Sequence, residues 1–562
     1  MSTRFGRLFR STMKFYFNKI GLYFLLCVAI NPAFSQNWNW SKQNGSSGMD
    51  QSLNIVVDSS GNCYTAGSFE GPYCYFTNDT SLFCNGDNDC YIIKYNNNGS
   101  EIWYRQLGGN NIGGSCYEGI SSMVIDNASN IYFTGVFCGV IDIGGFNLTG
   151  IGEEIFLAKM DANGVFIWAT KAGGNGKDDA SGIALDGSGH IYLCGTNSDQ
   201  AIFGNDTIPA GGFIVEYDTS GAVMWAKNKF RYRPITISEL IPYDIKISNS
   251  KILIEGAACN DTLIVDTISI FPHIPFSSSC FSAFDLSGNV EWLKIFGGGN
   301  SVPGFDFSVD NSGNSYLTGL FNDTGYFATD TFRTGAVEDV FITKIDINGS
   351  ILWTRQLHSS NGAEGWATSA NQTDGNTYIT GYFSGNASCG LYNFSATGNE
   401  DMFLLRLDSN GNCLGVRHFG YAEGYGVAQN SNDEPYVCGA FRNTVSIGSN
   451  TFSSHGQADI FVGKCDVFTG IDTFQGLQHT SQLIIYSNPS RGKCNIKIPD
   501  DFLHKSNVTL SVYDTFGKLI QQKQIQSGVD QIKINLETEA KGIYNVTLSN
   551  GLKIYQGKII FD

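Results

Sequence analysis

A short apolar segment ending in Tyr-x-x-Gly recurs seven times, and a repeat at near-constant spacing limits the fold more than any other feature of this chain. The copies read Cys63-Tyr-Thr-Ala-Gly67, Ile131-Tyr-Phe-Thr-Gly135, Ile191-Tyr-Leu-Cys-Gly195, Ile252-Leu-Ile-Glu-Gly256, Ser315-Tyr-Leu-Thr-Gly319, Thr377-Tyr-Ile-Thr-Gly381 and Pro435-Tyr-Val-Cys-Gly439. Their glycines are 68, 60, 61, 63, 62 and 58 residues apart. Most copies follow a turn such as Asp58-Ser-Ser-Gly61-Asn62, and an acid or Asn followed by Gly is the chemistry that reverses a hairpin. A second element recurs between them: Asp89-Cys-Tyr-Ile-Ile-Lys94, Glu154-Ile-Phe-Leu-Ala-Lys159, Asp339-Val-Phe-Ile-Thr-Lys344, Asp401-Met-Phe-Leu-Leu-Arg406 and Asp459-Ile-Phe-Val-Gly-Lys464. Degraded copies stand at Phe213–Glu216 and Phe281–Phe284. A further turn then leads to a strand bearing Trp103, Trp168, Trp225, Trp292 or Trp353, with Leu414-Gly415 in the sixth copy.

Each unit therefore holds four short β-rich strands separated by turn signals. Four strands in about sixty residues predict a propeller blade, and the expected fold is all-β: a seven-bladed β-propeller over residues 36–466 followed by a small C-terminal β-sandwich. Composition agrees, with 40 Phe, 26 Tyr and 67 Gly but only 15% charged residues. Outside the N-terminus no long stretch carries apolar residues at helical spacing. The last unit lacks a tryptophan strand, while Asn37-Trp-Asn-Trp40 is a tryptophan strand with no preceding partner. The N-terminal strand is thus expected to complete the seventh blade and close the ring, which an open stack with capping units would not need.

The ordered pattern Asp-x-x-Gly-Asn-x-Tyr-x-x-Gly, Asp-x-Phe-x-x-Lys and Asp-x-x-Gly-x-x-x-Trp resembles the seven-bladed propeller repeat family of bacterial exported proteins, from residue 37 to about 466. That family has no common activity, so the resemblance implies a fold and not a chemistry.

Residues 1–35 read as an export signal. Arg4, Arg7, Arg10, Lys14 and Lys19 precede the apolar run Gly21–Ile30, and Ala33 and Ser35 suit cleavage before Gln36. The run is too short to span a bilayer, and Met13 is an alternative start. Removal of the signal leaves 14 of the 15 cysteines. An exported chain permits disulfides, and the loop cysteines Cys74, Cys84 and Cys90 are the candidates, whereas Cys194 and Cys438 fit as small core residues. The net charge of −17 sits in the middle of the chain, where residues 37–469 hold 20 Lys and Arg against 44 Asp and Glu. Such a surface repels nucleic acid and anionic headgroups.

After a spacer at 467–482, residues 483–562 carry a different motif set: Asn488-Pro489-x-x-Gly492, Tyr513-Asp-x-x-Gly517-Lys518, Lys541-Gly542-x-Tyr544 and Lys558-Ile-Ile560. These resemble, in order, the type A C-terminal sorting domain of type IX secretion cargo. The resemblance implies the type IX secretion machinery as partner, then removal of the domain with release or surface attachment. Ser487 stands where proline is usual. The alternative is a retained adhesive β-sandwich.

No catalytic constellation emerges. The seven histidines show no His-Glu-x-x-His, and no Cys-x-x-Cys pair or Gly-x-Ser-x-Gly elbow is present. The tryptophan turns invite sialidase-like or quinoprotein readings, but their gaps are each one residue longer than in sialidase turns and no Cys-Cys pair accompanies them. Asp89, Glu154, Asp339, Asp401 and Asp459 either ring one rim and bind Ca²⁺ or satisfy backbone N–H groups where a strand begins. No other cofactor is expected. The fourth unit's connecting loop offers a basic-aromatic patch, Lys227, Lys229, Phe230, Arg231, Tyr232 and Arg233, for a ligand or for solvent. The function expected is a secreted or surface-exposed, non-enzymatic module binding protein or glycan through propeller-face loops. The rival is an extracellular polysaccharide hydrolase with paired carboxylates in the channel.

Overall fold

The computed structural model describes residues 38–562, apart from 77–80, 85–87, 110–117, 233–240, 260–262, 266–267, 271–276, 299, 329, 391, 468–480, 501, 504–507, 515–518 and 550–553. The expected export signal at 1–35 and most of the 467–482 spacer lie outside the described residues, as do Gly517 and Lys518. Among the described residues every regular element is a β-strand.

The strands pair into four-stranded antiparallel units, each built in chain order from an innermost strand outward. One unit runs Ala363–Ala370, Thr377–Phe383, Asp401–Leu407 and Cys413–Gly420. The innermost strands are Gln51–Val57, Gly119–Ile125, Asp178–Leu185, Ile241–Ser248, Gly304–Val309, Ala363–Ala370 and Ala422–Gln429. Each packs on the next, and Ala422–Gln429 packs on Gln51–Val57, so the series returns on itself as a propeller. The outermost strand of the last unit comes from the other end of the chain. Trp38–Asn44 runs antiparallel to Asp459–Cys465, with Ser41 opposite Gly463 and Gln43 opposite Phe461.

The repeated residues explain the packing. Each turn aspartate caps its own turn: Asp58 Oδ1 accepts the N–H groups of Ser60 and Asn62, both at 2.9 Å, and Tyr64 Oη donates to Oδ2 at 3.1 Å. The motif tyrosines are buried, Tyr64, Tyr192, Tyr316, Tyr378 and Tyr436 completely. The cation ending the third strand lies over the tyrosine of the second, as with Lys94 at 4.9 Å from the Tyr64 ring and Lys344 at 4.9 Å from Tyr316. A desolvated contact of this kind is worth on the order of 2 kcal/mol. The same ammonium groups donate to the following unit, Lys94 to Ala162 O at 2.9 Å and Lys344 to Ser409 O at 3.1 Å. Lysine and tryptophan of one unit thus converge on one turn of the next, Lys94 and Trp103 both on Ala162 O.

Antiparallel order puts the tight Asp-Gly turns at one end of the sheets and the long connections at the other. Those connections are not the free loops expected from sequence. Asn386–Cys389 and Tyr392–Ser395 form a hairpin, and it adds to the outer strand of the preceding unit through His358 opposite Ser388 and Ser359 opposite Ala387. Ala201–Phe203 with Asp206–Ile208 does the same on Phe166–Gly174. Backbone groups in these connections find ladder partners on a neighbouring sheet, while Tyr73–Tyr75 with Ser81–Phe83 and Thr444–Ile447 with Asn450–Ser453 form two-stranded sheets of their own.

Two expectations need correction. Lys227, Lys229, Phe230, Arg231 and Tyr232 lie in the strand Val223–Tyr232 and not in a loop, because that strand extends to pair with Leu263–Val265. Phe230 is in the core, and Lys227 donates to Ser287 O above the Trp225 ring. Arg233 lies outside the described residues. Cys74 and Cys90 are buried free thiols, so the expected loop bridge among Cys74, Cys84 and Cys90 is not formed; Cys138 is disulfide-bonded instead. Cys194 and Cys438 are fully buried core residues, as expected.

The C-terminal residues form two small sheets. Ser481–Gln482, Ile554–Phe561, Gly542–Ser549, Val508–Tyr513 and Leu519–Ile525 make one, and Ile485–Tyr486, Lys493–Lys497 and Gln531–Asn535 make the other. Their facing apolar side chains form one core running from Leu483 to Ile559, the layering of a β-sandwich.

Candidate functional site

The glycine of Tyr-x-x-Gly points to the site. Gly381 pairs with Gly365 of the innermost strand, and a Cβ at Gly381 would fall 1.9 Å from Glu364 O. Only a residue without Cβ admits that carbonyl. Directly beyond, the innermost strand bulges by one residue, Trp366. The same irregularity occurs in each innermost strand, at Leu53, Ser121, Ser181, Tyr243, Phe305, Trp366 and Tyr425. A bulge re-aims the side chain it carries, and all seven are half-buried.

On successive units these side chains make an aromatic arc. Phe305 and Trp366 stack at 4.8 Å between centroids with planes 11° apart, and Tyr425 meets Trp366 edge-on at 6.1 Å. Carboxylates flank the arc. Tyr425 Oη donates to Glu423 Oε2 at 2.5 Å, Arg442 Nη1 lies 2.6 Å from Glu423 Oε1, and Tyr382 Oη donates to Glu364 Oε1 at 2.5 Å. Burial holds Glu364 above the usual carboxylate range, with Glu338, Glu423 and Glu400 adding to the rise. The arc lies near the start of the innermost strands, at the end carrying the hairpins.

One step along the strands, Asp306 and Asp244 face each other from adjacent units. Burial and the Asp244 charge push the Asp306 carboxyl well up, and Thr368 N donates to Asp306 Oδ2 at 2.7 Å. Lys246 is paired with Asp244.

Sequence inspection did not single out these aromatics. The signal available was spacing: Tyr243, Phe305, Trp366 and Tyr425 are 62, 61 and 59 residues apart, the period of the repeat itself. The bulge hides them by breaking strand alternation.

The five acids expected at a rim are engaged locally. Asp339 accepts Ser359 N at 2.7 Å, Gln356 Nε2 at 2.6 Å and faces His358 Nδ1 at 2.8 Å. Asp401 accepts Thr397 N and Gly398 N, both at 2.9 Å, and faces His418 Nδ1 at the same distance. Asp459 accepts His455 N at 2.9 Å, Glu154 accepts Ile151 N at 2.9 Å, and Asp89 accepts Gln106 Nε2. Their partners recur at a spacing of 17: Asp89 with Gln106, Glu154 with Lys171, Asp339 with Gln356, Asp401 with His418. The acids tie the start of the third strand to the fourth and to the backbone around it. Among the described residues no group of three or more His, Cys, Asp or Glu side chains could hold a metal ion.

In the C-terminal sandwich, Asn488 grips the last strand, donating through Nδ2 to Lys558 O at 2.5 Å and accepting Ile560 N at 2.7 Å. Pro489 is exposed beside it, and Ser490 N donates to Ile560 O at 2.7 Å. Gly492, at φ +91°, takes the turn against Glu537. Tyr544 is buried and donates to Ala540 O, while Gly542 and Lys558 are exposed.

Residues 484–562 match the family described as the secretion system C-terminal sorting domain. A stretch of 162 residues is 26% identical to an uncharacterized WD repeat-containing protein of Acanthamoeba polyphaga mimivirus, and it covers 27% of this chain but only 11% of that protein. Among solved structures, the WD40 domain of Neurospora crassa Pan2 is similar over 76% of this chain and 99% of its own, at 8% identity and TM-score 0.40. The WD40 β-propeller domain of Doa1 is similar over 76% and 97%, at 11% identity and TM-score 0.37. Among the described residues no helix is long and apolar enough to cross a membrane. The chain is a β-propeller protein whose residues 484–562 are a secretion system C-terminal sorting domain, addressing it through type IX export to the cell surface or the medium.

Proposed function

We propose that the propeller is a non-enzymatic binding module for an extracellular protein or glycan, and that its sorting domain delivers it to the type IX machinery. The observation that carries the binding reading is the arc of Phe305, Trp366 and Tyr425 with Glu364 and Glu423 beside it. Half-buried aromatic faces next to carboxylates suit the apolar face and hydroxyl edge of a sugar, or a peptide side chain. For delivery, Asn488, Pro489, Gly492, Gly517, Lys518, Gly542, Tyr544 and Lys558 are the residues proposed to shape the surface that the machinery reads.

A hydrolase would call on Asp244 and Asp306, the carboxylates brought together between innermost strands. Asp244 is held in an ion pair by Lys246, and Asp306 Oδ2 accepts Thr368 N at 2.7 Å. A retaining glycosidase holds its pair about 5 Å apart and an inverting one wider, leaving room for the scissile bond or for water. Both carboxylates are engaged by protein groups, which favours binding over hydrolysis.

A glycan array and a panel of extracellular matrix proteins, probed with the wild type and Trp366→Ala, test the reading. A ligand whose binding weakens tenfold or more in the variant is expected, with no turnover of that ligand. Hydrolysis of a polysaccharide that Asp306→Asn abolishes would overturn it.

A further inference from the structure

Cys389 closes the strand Asn386–Cys389, and Cys413 opens Cys413–Gly420. The first belongs to a hairpin added to the sheet of the preceding unit, and the second to the outermost strand of its own unit. The turn of that hairpin sits against the second strand: a Cβ on Gly390 would lie 3.3 Å from the Cβ of Cys413. Tyr392, opposite Cys389 in the hairpin, donates through Oη to Leu414 O at 2.5 Å. The neighbours of both cysteines are therefore fixed against each other. The two side chains share one apolar cluster, where Cys389 is buried and Cys413 half-buried. Cys438 and Cys194 stand differently. Cys438 directs its Sγ to Ser52 O at 3.4 Å, and Cys194 is wholly enclosed among side chains of its cluster.

We propose that Cys389 and Cys413, separate thiols in this structure, are oxidised to a disulfide once the chain has left the cytoplasm. Two thiols in one cluster, with their flanking residues in contact, are placed to bond in an oxidising compartment. The bond fastens the hairpin, which extends one sheet, to the outer strand of the next, and so staples two adjacent units from outside the ring.

The oxidant is a dithiol–disulfide oxidoreductase of the export pathway in its disulfide form. The Cys413 thiolate, the less covered of the two, attacks a sulfur of the donor disulfide. The donor S–S bond breaks, and a mixed disulfide forms on Cys413. The Cys389 thiolate then displaces the donor sulfur, forming the Cys389–Cys413 bond. The donor leaves as a dithiol, carrying two electrons and two protons taken from the two cysteines.

The full chain, secreted with its own signal, is denatured in N-ethylmaleimide without reductant, digested and examined by mass spectrometry. A linked peptide containing Cys389 and Cys413, two hydrogens lighter than the reduced pair and lost on reduction, should account for most molecules. Cys413→Ser should convert Cys389 to an alkylated thiol, and Cys389→Ser should do the same for Cys413. The same protein made in a reducing cytoplasm should carry both residues alkylated. Quantitative alkylation of both cysteines in the secreted wild type would overturn the proposal, as would linkage of either one to a different cysteine.

Discussion

Trp103 lies flat on Gly164, a turn glycine of the next unit: a Cβ at Gly164 would come within 2.9 Å of the indole, and Trp103 Nε1 donates to Ala162 O at 3.1 Å. Gly99 under Trp40 and Gly411 under Trp353 repeat the relationship, each at positive φ. The Asp-x-x-Gly-x-x-x-Trp motif is therefore an interlock between neighbouring units. Its glycine serves the tryptophan of the preceding unit, not its own.

Gly164→Ala should accordingly be among the costlier single substitutions. It meets the indole and takes a left-handed backbone, φ +76°, that alanine resists. A loss of about 2–3 kcal/mol is expected, read as a lowered urea midpoint at unchanged slope. Gly187, in another turn, has nothing within 4 Å of its Cβ position, so Gly187→Ala is the control and should be near neutral. Equal effects of the two substitutions would remove the interlock.

The closing strand invites a second test. Gln43 Nε2 donates to Asp459 Oδ2 at 2.7 Å, and Trp40 Nε1 donates to Asn97 O at 3.0 Å in the first unit. Deleting residues 37–44 strips the ladder from Asp459–Cys465 and bares a sheet edge with buried apolar residues such as Phe461 and Val462. The truncated protein should aggregate or melt far earlier than the wild type in size-exclusion and thermal unfolding runs. Unaltered melting would mean that the ring closes without this strand.

How far the sequence reached follows from where the constraints sit. Turn aspartates, tyrosines, terminal lysines and tryptophans act between fixed positions of neighbouring units, so they must recur at the period and are visible in one chain. The hairpins of the long connections pair through backbone atoms. Any residue can supply those, and segments such as Asn386–Ser395 read as loops for that reason. Trp366 and its neighbours recur at the period, but as different residue types, Tyr243, Phe305 and Tyr425. In the sandwich, Asn488 stood out as part of a motif, yet its grip on Lys558 and Ile560 spans 70 residues and more, which spacing cannot reveal.

Stability should depend on pH through Asp50. Its carboxyl is fully buried beside the closing strand, where it accepts Ser46 N at 2.5 Å and Glu70 N at 3.1 Å. Burial, partly offset by these hydrogen bonds, raises it to about 7. Burial likewise lifts Asp178 to about 6. Between the ordinary carboxylate value near 4 and these raised values the folded protein holds more protons than the unfolded chain, so stability falls as pH rises through that window. The Asp50 share is at most on the order of 4 kcal/mol. Denaturant unfolding at pH 5 and pH 8 should show the wild type weaker at pH 8, and Asp50→Asn should shrink the difference. Parallel losses in both proteins would place the pH dependence elsewhere.

The last prediction concerns delivery, and it rests on the tail having an apolar core of its own. The sandwich has an apolar core drawn entirely from residues 483 to 561, and the propeller's sheets are completed by residues up to Cys465. Each is therefore expected to fold without the other. A chain truncated before Leu483 should fold as a propeller and remain in the periplasm of its native host. The tail, fused to an unrelated folded passenger, should carry it outward. Asn488→Ala should weaken this transfer several-fold, because the last strand loses its hold at Lys558 and Ile560, while melting of the propeller stays where it was. The mature surface form should end near residues 467–482, as mass spectrometry of shaved cell-surface protein can read directly. Intact Asp562 on most surface molecules would make the sandwich a retained adhesive domain and end the view that it is removed after delivery.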